Sequence, residues 1–221
     1  MLSNKGNSIV ILDRDKYSSK VLDFVRKENA TPTKDPTPSL DKELRKFLNH
    51  EGTELFQFPA KLVNKNPHAP RLHGTIKIHK ACDSLPIADV PIRPVVSSYT
   101  SPVYRLEKEL VKFFNSHVQW KPTHSIKNRS DLISAISDVE CNPDSILVSL
   151  DVNSLFSKVN IPVVIDRVSK HLDLYSSLSV GEKEAFISAL KLVTKYNYFK
   201  FDNVTYLQKD GCAMGSPSTL R

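Results

Sequence analysis

Apolar positions in the first quarter of the chain change from a strand-like to a helical spacing. The run SIVIL at residues 8–12 is followed in residues 13–29 by apolar side chains three and four positions apart, which predicts a strand and then a helix. The residues that define this helical spacing are Tyr17, Val21, Leu22 and Val25. Three prolines in residues 30–39 indicate a linker, and residues 40–52 are predicted to form a short helix that ends at Gly52.

Two β-like runs that carry basic residues come next. Residues 72–80 alternate apolar and basic side chains, so Lys77 and His79 are expected on the face of a strand opposite to its apolar side chains. The run PIRPVVSS at residues 91–98 sets Arg93 between two prolines. A strand face with a row of cations, which would suit phosphates, is the predicted result.

Helical spacing returns in the second half of the chain. One helix is predicted to open with Ser101 as its N-cap and Pro102 at its first position. Its apolar face contains Val103, Leu106, Leu110, Phe113 and Phe114. Further helices are predicted at residues 130–137, at residues 162–172, and after a capping box formed by Ser179 and Glu182.

Two stretches of this half have the character of strands. Residues 145–151, SILVSLD, form an apolar run that ends in an acid and predict a buried strand with Asp151 at its tip. Residues 198–208 predict a hairpin that turns at Asp202 and Asn203.

The charge of the chain favours a polyanionic partner. The 221 residues are 40% hydrophobic, enough for a core, and 31 Lys and Arg against 24 Asp and Glu give a net charge of +7. The segment from Leu55 to Cys82 contains no acidic residue. Its basic residues are Lys61, Lys65, Arg71, Lys77 and Lys80. We expect the first three of these to contact nucleic acid, although a solvated lysine-rich strand is the simpler alternative.

The sequence gives no sign of a membrane span, a disulfide framework or a zinc site. No stretch approaches the roughly 18 apolar residues that a span needs, so a soluble, intracellular and nuclear protein is expected. Cys82, Cys141 and Cys212 lie far apart and are odd in number, so no disulfide-linked partner is expected. A zinc site built from His73, His79 and Cys82 has the wrong spacing and lacks a fourth ligand nearby.

The position of Asp151 raises the question of its chemistry. A carboxylate at the tip of an apolar strand can present a hard oxygen ligand to Mg²⁺. A Walker-type NTPase would need a GxxxxGK[ST] loop, which the sequence lacks, and an aspartyl-phosphate hydrolase would need a second acid where Asn153 stands. A two-metal nucleotidyl transferase remains, with ions about 3.5–4 Å apart that activate a hydroxyl and stabilise pyrophosphate. A strand that simply ends at a capping Asp is the alternative.

Five segments resemble, in the same order, motifs of the reverse transcriptases of Penelope-like retroelements. LVSLDVNSLFSKV, which contains Asp151, resembles the first metal-binding motif in the form FDVxSLFTxVP. PRLHGTIKIHK, PIRPVVSSYTSPVY and YLQKDGCAMGSP resemble the family's PRLYGLPKIHK, RPIVSSxxSPTY and QxxGLAMGSPLSP. NKGNSIVILDRDKY is similar to the family's opening DKGxxVVxxxxxY, so the matches run from Asn4 to Pro217.

This resemblance implies an α+β right-hand polymerase fold with fingers and an incomplete palm, and with the thumb absent. Residues 1–98 would be fingers, and residues 99–157 a palm segment with the first metal motif. Residues 158–210 would supply helices and a hairpin of fingers and palm, and residues 211–221 the start of a palm helix.

The resemblance also implies roles for individual residues. Asp151 would be catalytic and the first metal ligand, Val152 would offer its backbone carbonyl to the metal, and Phe156 would screen the ribose 2′ position. The cations that would hold the triphosphate are Lys77, Lys80 and Arg93. The loop and helix start beneath the nucleotide and template would contain Gln208, Gly211, Gly215 and Ser216. The implied cofactor is Mg²⁺, and the implied partners are an RNA template, a DNA primer and a dNTP.

The chain departs from the family pattern at several positions. Asn4 replaces the usual Asp, His73 the usual Tyr, Thr75-Ile76 stand in place of Leu-Pro, and STL follows Pro217 in place of LSP. The family's next metal motif has two adjacent aspartates, and no such pair occurs in the 221 residues. We therefore expect a truncated polymerase fragment that is inactive alone and lacks a downstream GIY-YIG endonuclease domain. The alternative is a non-catalytic nucleic-acid-binding module or relic that uses the basic lobe.

Overall fold

A computed structural model describes most of the chain, and its architecture is mixed α+β with one mixed sheet, which confirms the predicted class at that level. The described residues are 9–78, 89–120, 122–140, 142, 144–146, 148–152, 155–212 and 215. The helices in this part of the chain are α1 Arg14–Lys27, α2 Thr37–Asn49, α3 Gly52–Leu55, α4 Tyr104–His117, α5 Arg129–Ile136, α6 Leu155–Lys158, α7 Ile161–Tyr175 and α8 Val180–Thr194, with a 3₁₀ turn at Pro59–Leu62. The strands are β1 Thr31–Pro32, β2 Arg71–Ile76, β3 Ile92–Ser97, β4 Tyr198–Phe201 and β5 Val204–Leu207.

The five strands form one sheet in the order β1-β5-β4-β2-β3. Neighbours are antiparallel except β2 and β4, which run parallel where Arg71 lies opposite Lys200. The predicted hairpin between β4 and β5 is confirmed: Asp202 and Asn203 have φ of 44° and 64°, the left-handed pair that a two-residue type I′ turn requires. The sheet therefore joins strands from three distant parts of the sequence.

One face of the sheet is covered by α1, whose apolar stripe was predicted from its spacing. Val21 and Val25 are buried against the inner side chains of β2, β3 and β4. Near the start of this helix the hydroxyl of Tyr17 accepts a hydrogen bond from the Gly74 amide at 2.9 Å. Helix α1 is thus fixed to β2 by both apolar burial and a polar contact.

A second core lies among the helices α2, α4, α7 and α8. Its most deeply buried side chains are Leu40, Leu44, Leu106, Leu172 and Ala189. The predicted capping box at the start of α8 is confirmed, since Ser179 and Glu182 exchange hydrogen bonds at 2.8 and 3.2 Å. The Glu182 carboxylate accepts hydrogen bonds from the Ser179 amide and hydroxyl, and these bonds lower the pKa of Glu182. None of the helices in the described residues is long and apolar enough to cross a membrane.

Several predicted boundaries are wrong, for identifiable reasons. Instead of a strand at SIVIL, the described residues from 9 onward hold a single bridge at Ile9. The predicted linker supplies β1, which pairs with β5, and the first turn of α2, where Pro38 is tolerated because early amides lack helical partners anyway. Gly52 begins α3 rather than ending α2.

The start of α4 also differs from the prediction. Ser101 does not cap the helix, because the chain makes a turn over residues 101–103 and the helix begins at Tyr104 with Val103 before it. The buried face of α4 contains Leu106 and Leu110 as expected, together with Glu107, which the apolar pattern did not include.

The predicted strand at residues 145–151 is not formed in the described residues 144–146 and 148–152. Ile146 and Leu150 are 86% and 91% exposed rather than buried. The sheet ends at β1 on one side and β3 on the other, and neither takes this segment as a partner. A strand needs a neighbour to bond its amides and carbonyls, and the described residues of this run have no such partner among the described strands.

Candidate nucleotide-binding site

Two glycines of the segment DGCAMGS make close backbone approaches to other parts of the chain. Gly215 has φ of +107°, and a Cβ there would collide with the carbonyl oxygen of Val96 in β3. The hydroxyl of Ser98, just after β3, donates a hydrogen bond to the Gly215 carbonyl at 2.9 Å. The loop is therefore seated on β3, close in sequence to Arg93.

Gly211 makes the corresponding approach to α6. Its φ is +76°, and a Cβ would collide with the backbone of Phe156 and Ser157. The next amide, of Cys212, donates a 2.7 Å hydrogen bond to the Phe156 carbonyl. Three parts of the chain that are far apart in the sequence thus meet here: β3, α6 and the described residues 211, 212 and 215.

The residues just before the loop hold it in shape. The amide of Gln208 bonds the Asn197 carbonyl at 2.8 Å, and its side-chain Nε2 donates to the Asp210 carbonyl at 2.7 Å. Asn197 in turn donates through Nδ2 to the Gly211 carbonyl at 3.1 Å. Gln208 is 6% exposed, so its side-chain amide contacts the loop backbone rather than solvent. Asn197 was missed from sequence because nothing in its spacing marks a loop contact.

The hairpin of β2 and β3 presents polar side chains on one face. Register pairs Thr75 with Arg93 and Arg71 with Ser97, and the buried residues of β2 are the alternate ones. Arg71 and Arg93 are both exposed. The chain continues past β2 with Lys77, whose amide bonds the Pro91 carbonyl at 3.0 Å, so the pairing extends beyond the ladder. Of the two residues that the alternation places on one face, Lys77 follows the end of β2 and His79 lies outside the described residues.

Asp151, the first metal ligand of the predicted site, lies exposed at the surface of the described structure. Asp151 and Val152 are exposed, and Asp151 forms no ion pair or hydrogen bond within the described part of the chain. No group of three or more His, Cys, Asp or Glu side chains in those residues is arranged to hold a metal ion. Phe156 does lie at the loop, through its backbone. Lys80 and Ser216 lie outside the described residues, as do His79 and Cys82 of the zinc alternative.

A small cavity of about 60 Å³ lies beneath the loop. Its walls include Ser98, Glu107, Tyr198 and Cys212. Glu107 is 6% exposed, and burial, together with this carboxylate, raises the pKa of the Cys212 thiol. Cys212 is a free thiol. An acid on the apolar stripe of α4 was the available signal for Glu107, since it lies four positions after Val103 and three before Leu110.

The remaining predicted contacts lie on two surfaces. Lys61 and Lys65 are exposed and line a groove between α2, the 3₁₀ turn and α4. Arg71, at the start of β2, is not among the residues that line it. Lys61, Lys65 and Arg71 were expected to contact nucleic acid together, whereas in the fold only Lys61 and Lys65 line this groove.

No protein-family model matches this chain, and comparison with curated proteins and with solved structures yields no match either.

Proposed function

We propose that this chain is the fingers and part of the palm of an RNA-directed DNA polymerase of the Penelope-like retroelement class, which performs two-metal nucleotidyl transfer. The observation that carries the proposal is the meeting of three segments that the family resemblance singles out in the sequence. Gly215 contacts Val96 beside the basic hairpin, and Gly211 contacts Phe156, five residues after Asp151. A nucleotide site requires these segments to be neighbours.

The chemistry of the hairpin agrees with a triphosphate ligand. Arg93 projects from β3 on the face that also contains Arg71, and Lys77 continues the basic alternation of β2. Guanidinium and ammonium groups bind phosphate oxygens through short charge-assisted hydrogen bonds. The proposal assigns Lys77, Lys80 and Arg93 to the triphosphate, and Asp151 and the Val152 carbonyl to Mg²⁺.

The test of this assignment is nucleotide affinity. Arg93→Ala is expected to weaken dATP binding about ten- to a hundredfold, because it removes a charge-assisted hydrogen bond worth roughly 1.5–3 kcal/mol. Arg167→Ala is the matched control, since Arg167 is an exposed cation on α7 that forms no ion pair with the described residues. Titration calorimetry with dATP and Mg²⁺ measures both. Equal dATP affinity for the wild type and Arg93→Ala would contradict the assignment.

A second candidate function is a nucleic-acid-binding module without catalysis. It is favoured by one observation: Asp151 is exposed and has no metal-ligating cluster around it in the described residues. Both functions predict that RNA affinity falls steeply with salt, because lysine and arginine displace counterions from phosphates. Only the polymerase predicts that Mg²⁺ and a nucleotide bind through Asp151.

A further inference from the structure

We propose that the groove between α2, the 3₁₀ turn at Pro59–Leu62 and α4 binds the phosphates of a single-stranded nucleic acid. The inference rests on the proposed function in one respect, that a nucleic acid strand is the polyanion to be bound. It adds a site apart from the β2–β3 hairpin, and it brings in two arginines, Arg45 and Arg105, that the sequence pattern did not single out.

Four of the residues that line the groove are cations, and none is an acid. The groove has a volume of about 940 Å³. Its cations are Arg45, Lys61, Lys65 and Arg105, and all four are exposed. Its apolar floor is formed by Leu48, Ala60 and Val63. An open concave surface lined by one sign of charge focuses the electrostatic potential and attracts the opposite charge.

Backbone carbonyls of the 3₁₀ turn and of the residue that follows it hold the Arg105 side chain in place. Its Nη1 donates hydrogen bonds to the Lys61 carbonyl at 3.1 Å and to the Val63 carbonyl at 3.3 Å. Neutral carbonyls orient the guanidinium without cancelling its charge. Its other nitrogens have no partner in the described residues, so they can donate to a phosphate.

The charge of the groove is little offset by neighbouring acids. Arg45 donates through Nε to Asp41 at 2.8 Å, which neutralises one of the four cations. Lys61, Lys65 and Arg105 form no ion pair with any described residue, whereas Lys112 and Lys170 elsewhere each have an acid one helical turn away. About three positive charges therefore remain for a ligand.

The groove fits a single strand better than a duplex because it offers surface for bases as well as phosphates. Beside it, Phe58 is 56% exposed, and the Lys61 ammonium lies 4.2 Å from its ring centroid. Proteins that bind single strands combine a basic groove with aromatic and apolar side chains that contact the bases. A duplex keeps its bases stacked inside and would use the cations alone.

The experiment is a salt titration with a fluorescein-labelled 15-nucleotide oligouridine RNA, without Mg²⁺ or nucleotide. Lys61→Gln/Lys65→Gln is compared with Lys34→Gln/Lys191→Gln, which removes two exposed lysines that lie outside the groove and form no ion pair with described residues. Both double variants lower the net charge by two, so general charge effects are equal. The groove variant is expected to reduce the slope of log K against log salt by about 1.4 and to bind about tenfold more weakly at 0.1 M salt. The control variant is expected to stay within about twofold of the wild type.

Equal losses in the two double variants would overturn the proposal, as would tighter binding of a duplex that shows the same dependence on Lys61 and Lys65. Because Mg²⁺ and nucleotide are left out, this result is separate from that for dATP. If the RNA binds in the groove but dATP does not bind at all, the polymerase proposal is contradicted and the groove proposal is supported. If dATP affinity depends on Arg93 but the groove variant binds RNA as the control variant does, the groove proposal is contradicted and the polymerase proposal is supported.

Discussion

Gly211 and Gly215 hold the candidate site together through their backbones. Both adopt positive φ, and at both the absent Cβ leaves room for the backbone of another segment, Phe156–Ser157 or Val96. The two requirements are independent, because a side chain would strain the residue's own backbone and also collide with its neighbour. Glycine is therefore needed at both positions for packing as well as for chain reversal.

Replacement of Gly211 by alanine is expected to lower the free energy of unfolding by about 2 kcal/mol or more, from backbone strain together with the collision at Phe156. The matched control is Gly181→Ala in the first turn of α8, where the nearest atom to a new Cβ is Glu54 Oε2 at 3.7 Å. That control is expected to be neutral or to stabilise by up to about 1 kcal/mol. Urea denaturation measures both variants, and an equal effect of the two would be inconsistent with the described loop.

At the scale of elements, helix α2 is tied to the sheet by a buried polar contact. The hydroxyls of Thr37, at the first position of α2, and Tyr198, in β4, are 2.9 Å apart. Burial of the phenol raises the pKa of Tyr198 to about 12, and the hydrogen bond to Thr37 only partly opposes this shift. Burial therefore favours the protonated form of Tyr198 in the folded protein.

Burial of the Tyr198 phenol predicts a loss of stability at alkaline pH. Because the pKa of Tyr198 is higher in the folded state than its unfolded value near 10, the unfolded chain loses the proton first. The stabilisation is complete below pH 10 and declines as the pH rises towards 12, by roughly 1–3 kcal/mol. Tyr198→Phe should lack this part of the decline, as measured by urea unfolding from pH 9 to 12. Parallel curves for wild type and variant would show that the phenol does not contribute.

Helices were predicted from the sequence better than strands, and the reason is physical. The period of α1 and α7 and the capping box of Ser179 at the start of α8 are local features that need no partner. Strand β1 was missed because a two-residue strand that includes Pro32 has no period, and it exists only by pairing with β5. The run at residues 145–151 failed for the converse reason: its apolar pattern is strong, but none of the described strands pairs with it.

In the molecule as a whole, the sequence suggested which residues belong to the candidate site, but it did not show that they lie close together in the fold. Alternation in residues 72–80 indicated a strand with cations on one face, and the family resemblance named Gly211 and Gly215. The contact of Gly215 with Val96 joins residues more than a hundred positions apart, which no local pattern encodes. Asn197 and the basic groove became visible only in the fold, whereas Glu107 had a sequence signal in its place on the apolar stripe of α4.

We propose that Asp151 serves a Mg²⁺-dependent nucleotide site. The most direct test is dATP affinity with and without Mg²⁺, measured by titration calorimetry for the wild-type chain and for Asp151→Asn, which keeps the shape but removes the charge. If Asp151 is a metal ligand, Mg²⁺ should strengthen dATP binding in the wild type by about tenfold or more, and most of this gain should vanish in Asp151→Asn. The same Mg²⁺ gain in both proteins, or none in the wild type, would contradict the account.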